Sequence, residues 1–268
     1  MRILAVDMDG TCLNKKSMIS DVTLTWLHWA RVQGYEIVPT TGRSLSCIPR
    51  QLSDEKLFRY CITSNGASVT DTETGKDVFS APLPMEKALT LTEECAGPYI
   101  GMTAHVDHEY LVEGRFLWTL GRLSYGKDAG NAQIVRQLAP CIKERQSDVE
   151  ELQFFFYTKK ARARIRDVLS RHPELSAAYG GQYVEIYSKG ASKGAALEAL
   201  ARQLSVPKED IACIGDGEND IPMFQHAGTR FAMGNAVPAL KVLADRVVAS
   251  NDQNGVAEAI KILLHAEE

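Results

Sequence analysis

The sequence predicts an α/β fold: a Rossmann-like, mostly parallel sheet core with a separate α/β lobe inserted into it. Three observations carry this. The first third of the chain alternates short apolar runs with amphipathic stretches, and the last third repeats the alternation, as a parallel sheet covered by helices requires. Between about residues 83 and 186 the texture changes, after a junction marked by Pro82 and Pro84. The chain's 268 residues also suffice for two modest domains. The expected division is a core of residues 1–82 and 187–268 and an inserted domain of residues 83–186.

Each element follows from its local pattern. RILAV is a short apolar run suited to a buried strand. Ser20 or Asp21 can cap a helix running through Leu24, Leu27 and Trp29 to a stop at Gly34. YEIVPTT reads as strand, SLSCIPRQL as helix, RYCITSNG as strand, and VTDTETGKDVF as a hairpin turning near Gly75. In the inserted domain, MTAHVDHEYLV and ELQFFFYT read as strands and KKARARIRDVLSRH as an exposed basic helix. AAYGGQYVEIYS reads as a hairpin around Gly180 and Gly181. After Lys193, the residues Leu197, Leu200, Ala201 and Leu204 fall at helical spacing, and DIACIGD, TRFAM and RVVAS read as strands. Val256, Ile260, Leu263 and Leu264 form the apolar stripe of a closing helix.

Composition excludes several function classes. Apolar residues at 45% and charged residues at 24% are ordinary for a soluble globular chain. A net charge of −4 with no block of like charge speaks against nucleic-acid or anionic-membrane partners. No run approaches the roughly eighteen apolar residues of a membrane span, and Ile3 to Val6 is too short for a signal-peptide core. Six cysteines lie far apart without a C-x-x-C pair, so zinc spacing is absent and reduced thiols in a cytoplasmic setting are expected.

The chemistry gathers at strand ends. Asp7 and Asp9 follow the first strand one residue apart, and in an extended chain residues i and i+2 point the same way. Two close carboxylates repel unless they share a proton or a cation, and a hard cation such as Mg²⁺ prefers oxygen ligands. Taken alone, DMDGT reads equally well as a solvated turn. An EF-hand is excluded, because Cys12 and Met18 stand where its Gly and Glu belong. TTGR, with Thr41, Gly42 and Arg43, follows a strand and suits anion binding by a hydroxyl and backbone N–H groups. GASKG sets Lys193 at a helix start without Walker A spacing. GDGENDIPMF places Asp216, Asn219 and Asp220 just past another strand. Each of these has an ordinary reading as a turn, a solvated lysine or a helix cap.

In this order, DMDGT, TTGR, Lys193 and GDGEND resemble the four motifs of the haloacid dehalogenase superfamily of phosphohydrolases. T-G-R, Asn65–Gly66 and S-K-G are most similar to its Cof-type sugar-phosphatase branch, which carries an α/β cap between the second and third motifs. The resemblance spans the chain. It implies an enzyme that hydrolyses sugar phosphates or similar small phosphorylated metabolites. Asp7 would be the nucleophile, and Asp9 the general acid and base. Thr41 and Lys193 would hold phosphoryl oxygens, with Gly42, Arg43 and Asn219 on the substrate side. Mg²⁺ would be held by Asp7, the backbone carbonyl of Asp9 and Asp216, with Asp220 in support. Three ionised aspartates would then be balanced by one Mg²⁺ and Lys193.

Two departures from the pattern are small. Cys12 stands where the family more often has Leu, and is expected to face the core. Pro39 in the second strand suggests a bulge or an unpaired N–H. Within the cap, His105, His108, Tyr110, Arg115, Tyr183 and Glu185 are candidates for specificity, with Tyr183 and Glu185 first because they alternate along one strand. The two histidines of HVDH are expected to be simply exposed. A phosphomutase using the same intermediate and a non-catalytic phosphate sensor remain as alternatives, separated by release of inorganic phosphate. The sequence leaves the oligomeric state and the individual substrate open.

Overall fold

The computed structural model describes residues 1–125 and 131–265. They form two compact units: residues 1–42, 49–80 and 192–268, and residues 43–48 and 81–191.

The first unit is built on a five-stranded parallel sheet. Its order is Arg246–Val247, Thr229–Ala232, Ile211–Gly215, Arg2–Val6, Tyr35–Pro39. The two central strands are apolar almost throughout because helices cover both faces. The helix Asp21–Val32 starts where Ser20 accepts the Thr23 N–H, and it buries Leu27 and Ala30. The closing helix Gly255–His265 buries Val256, Ala259 and Ile260. A second, antiparallel sheet of Tyr60–Thr63, Ser68–Asp71 and Lys76–Ser80 extends the unit, its hairpin turning at Gly75 as the sequence predicts.

Three expectations need correction. SLSCIPRQL is not one helix: a single turn at Leu45–Cys47 is separated from Arg50–Asp54 by Pro49. Proline drives its predecessor out of the helical region, and Ile48 is extended accordingly. MTAHVDHEYLV is a hairpin of Ile100–Val106 and Glu109–Glu113, because Asp107 and His108 both adopt positive φ and turn the chain without a glycine. RVVAS supplies only the two-residue strand Arg246–Val247. Pro39 introduces no bulge. The register through it is regular, and its strand is the edge of the five-stranded sheet, where a missing donor is tolerated.

The second unit carries a six-stranded sheet ordered Leu175–Tyr179, Tyr183–Ser188, Val149–Phe156, Ile100–Val106, Glu109–Glu113, Gln133–Val135. Helices Met85–Cys95, Leu138–Arg145 and Lys159–Ser170 contribute Leu91, Ile142 and Ile165 to a core shared with Leu152, Phe154, Val184 and Ile186. Strand alternation therefore places Thr103, His105, Gln153, Phe155, Tyr183 and Glu185 on the sheet's opposite face.

Candidate active site

The first unit brings four of the predicted residues together at the carboxyl ends of its central strands, where open α/β sheets bind ligands. Asp7 leaves the strand Arg2–Val6 with its N–H donating to the Ile214 carbonyl (3.0 Å). Lys193 opens the helix Lys193–Leu204, whose start is fixed by Ser192 accepting the Ala195 N–H. Its ammonium donates to Asp7 Oδ1 at 2.6 Å and to Asp220 Oδ1 at 2.7 Å. All three side chains are buried. The other oxygen of Asp220 accepts the backbone N–H groups of Asp216 and Gly217, at 2.8 and 2.9 Å. Asp220 thus ties the lysine to the loop that carries Asp216.

Carboxylate oxygens of Asp7, Asp216 and Asp220 lie within 4.8 Å of one another, a spacing that fits one cation. Three acids against one lysine leave a buried excess of negative charge. Burial, with the Asp220 charge next in importance, pushes the Asp7 carboxyl well above its ordinary range, although Lys193 opposes this. Asp216 is raised for the same two reasons. Burial alone would lower Lys193, but Asp220 and Asp7 overcome it and hold the ammonium firmly charged. An all-oxygen donor set of this charge suits a hard divalent ion. Asp220, beside that set, holds Lys193 through one oxygen and the two loop N–H groups through the other.

Asp9 stands apart from this cluster. The strand ends at Val6 and the chain turns through Met8 to Gly10. Asp7 is consequently buried and Asp9 exposed. Gly10 has φ +84°, and a Cβ there would overlap the Asp216 carboxylate. Thr41 is buried, its N–H donating to the Ile62 carbonyl and its carbonyl accepting the Asn65 N–H. Asn65 Oδ1 in turn accepts Asn219 Nδ2 at 3.0 Å, joining the second and fourth motifs. Gly66 (φ +92°) lies against the Ser192 carbonyl, which leaves no room for a side chain. Cys12 faces the core as expected, and burial pushes its thiol up to about 12.

Two residues that sequence reasoning passed over complete the loop. Thr11 Oγ1 donates to Asp216 Oδ1 at 3.0 Å. Asn235 Nδ2 donates to the Gly10 carbonyl at 2.8 Å and lies 3.3 Å from Asp216 Oδ2. Thr11 was visible inside DMDGT. Asn235 carried no signal, because only the topology brings it to a residue 225 positions earlier.

Within the second unit, Arg43 donates to the Cys47 carbonyl at 3.2 Å. His105 and His108 are not simply exposed. His105 is buried on the sheet face and pushed down to about 4, chiefly by burial. His108 sits in its turn with Nδ1 at 3.2 Å from Glu150. Arg115 opens an exposed helical turn, whereas Tyr110 and Tyr183 lie on the sheet.

A parallel sheet with a buried lysine–carboxylate cluster at its strand ends fits the class of α/β phosphoryl-transfer proteins. Residues 4–260 match the family of haloacid dehalogenase-like hydrolases. The chain belongs to that family, in its Cof-type branch, and is an enzyme of the phosphatase type. It is similar to phosphatase YwpJ of Bacillus subtilis (strain 168), at 29% identity over 98% of this chain and 100% of the relative. It is also similar to the 5-amino-6-(5-phospho-D-ribitylamino)uracil phosphatase YcsE of that organism, at 28% identity over 97% and 95% of the two chains. Among solved structures, a haloacid dehalogenase-like hydrolase from B. subtilis superposes with a TM-score of 0.85 at 25% identity, covering 97% of this chain and 99% of its own.

Proposed function

We propose that the protein is a Mg²⁺-dependent phosphomonoesterase acting on small phosphorylated metabolites, sugar phosphates included, through an aspartyl phosphate on Asp7. The observation that carries this reading is the contact of Lys193 with Asp7 and Asp220 beside Asp216. It fixes one carboxylate as a buried, oriented nucleophile and leaves a charge excess that calls for a cation before a phosphate dianion can approach. Asp7, Asp216 and the Asp9 backbone carbonyl would hold the ion. Bound there, Mg²⁺ would neutralise charge and polarise a phosphoryl oxygen. The YcsE relative, named for a phosphorylated ribityl compound, supports a small-metabolite ester as substrate.

The protein's own residues account for both half-reactions. An Asp7 oxygen attacks phosphorus as the bond to the leaving oxygen breaks, and Asp9 gives that oxygen its proton. Asp9, now ionised, takes a proton from water. The hydroxide attacks phosphorus, the bond to Asp7 breaks, and phosphate leaves. Thr41, Gly42, Lys193 and Asn219 hold the phosphoryl oxygens through hydroxyl, N–H and ammonium donors. We assign Arg43 to substrate binding, and to the second unit the role of a specificity-bearing cap.

Rapid-quench kinetics with p-nitrophenyl phosphate test this. Asp7→Asn forms no covalent phosphate. Asp9→Asn still phosphorylates Asp7, because nitrophenolate leaves unaided, but hydrolysis slows by roughly a hundredfold or more. The expected result is a nitrophenol burst and a trapped phosphate on residues 3–13 in Asp9→Asn alone. Phosphate recovered on Asp216, or full turnover after exhaustive chelation, overturns the assignment.

A further inference from the structure

The second unit holds a recess of about 360 Å³ between the helix Arg115–Tyr125 and the face of the sheet opposite its core. Its lining includes Tyr110, Leu117, Trp118, Phe155, Tyr157 and Tyr183. Among the described residues no charged side chain lines it.

The aromatic side chains are set by the fold. Phe155 and Tyr183 are register partners on neighbouring antiparallel strands, with ring centroids 5.7 Å apart and planes tilted by 36°. Trp118 is anchored by Nε1–H donating to the Ala132 carbonyl (3.3 Å). Gly101, opposite Phe155 on the other side, leaves space that Leu117 enters. One edge is polar: the Tyr110 hydroxyl donates to Gln153 Oε1 at 2.9 Å, and Thr103 Oγ1 donates to the same oxygen.

Such walls discriminate by shape and polarity. The polar side chains of the lining are three tyrosine hydroxyls, the Trp118 indole N–H and Gln182, fewer groups than a polyhydroxylated chain buried there would need. A flat ring buries apolar area and gains offset or edge-to-face ring contacts. We propose that this recess binds a planar ring system. Two sources share that chemistry: a ring-bearing phosphate ester that the enzyme hydrolyses, and a free ring compound. Only the first rests on the function proposed above.

The test uses three primary phosphate monoesters whose leaving alcohols are chemically alike: 2-naphthylmethyl phosphate, cyclohexylmethyl phosphate and ribitol 5-phosphate. Saturation-transfer NMR with 2-naphthylmethanol and cyclohexylmethanol reads binding without catalysis. The expected result is a kcat/KM at least about tenfold higher for the naphthyl ester, together with binding of naphthylmethanol only. Phe155→Leu, which keeps an apolar side chain, should lose both preferences and keep the rate on ribitol 5-phosphate.

Naphthylmethanol binding without an ester preference assigns the ring to a free compound and upholds the recess. Binding with no ester hydrolysed at all upholds the recess and overturns the phosphatase reading of the site. Equal binding of the two alcohols, or no binding of either by the folded wild type, overturns the proposal.

Discussion

At the scale of single residues, the cluster around Lys193 makes the sharpest demands. Lys193→Met would leave Asp7 and Asp220 facing each other in a dry interior. Breaking a buried pair in this way costs about 3–5 kcal/mol, so the variant should melt well below wild type and show no phosphatase activity. Added Mg²⁺ should restore part of the stability and none of the activity, as read by thermal denaturation with and without chelator. The raised Asp7 and Asp216 carboxyls give a second expectation. Their cation-free forms retain protons above the ordinary carboxylate range, and these must leave when a cation binds. Mg²⁺ affinity should therefore rise with pH until both are ionised, with proton release visible by calorimetry in buffers of different ionisation enthalpy. A pH-independent affinity just above the ordinary carboxylate range would falsify the linkage. His105 works in the opposite sense, being neutral when folded. Its value of about 4 lies below the ordinary 6.5, so between these limits the unfolded chain binds more protons. Stability is complete above pH 6.5 and falls as the pH drops towards 4, by about 3 kcal/mol. Comparing the melting of wild type and His105→Gln across that interval checks it, since the variant should lose this part of the acid sensitivity.

At the scale of elements, the helix Lys193–Leu204 is aimed by what its first turn packs on. Gly66 at φ +92° touches the Ser192 carbonyl, so Gly66→Ala adds both a strained conformation and an overlap at the helix start. The expected cost is about 2 kcal/mol or more, with kcat and affinity for inorganic phosphate both falling, because the lysine that orients Asp7 and holds a phosphoryl oxygen shifts. Steady-state kinetics and urea melts of this variant decide the matter. The elements that sequence reading located best are those whose signal is local: the Ser20 cap and the stripe of the closing helix. It failed where one proline or two positive-φ residues cut a continuous pattern, at Pro49 and at Asp107–His108. The four-motif cluster was legible because each motif sits at a strand or helix end, and parallel strands gather their ends at one edge. The strand stops at Val6, two residues short of Asp9, so strand alternation does not carry through to that residue.

At the scale of the whole molecule, composition and alternation were enough for the fold class, while the pattern of long-range contacts was not. Asn235 reaches Gly10 and Asp216, and Asn65 reaches Asn219, through pairings that no local window contains. The same holds for residues 43–48, which group with the second unit although they follow directly on Gly42. There the Ser46 N–H donates to the His108 carbonyl, and the Asn131 side chain donates to the Ser46 carbonyl. The backbone thus passes from one unit to the other after residues 42, 48, 80 and 191, twice as often as a simple insertion requires. This bears on modularity. A chimera that exchanges only residues 81–191 with a relative pairs a foreign sheet with the resident six-residue strap, and should express poorly or aggregate. Carrying residues 43–48 along with the graft should restore a soluble product, as judged by size-exclusion chromatography. For recombination, the heritable module is a discontinuous pair of segments, so one crossover on each side of the insert cannot transfer it.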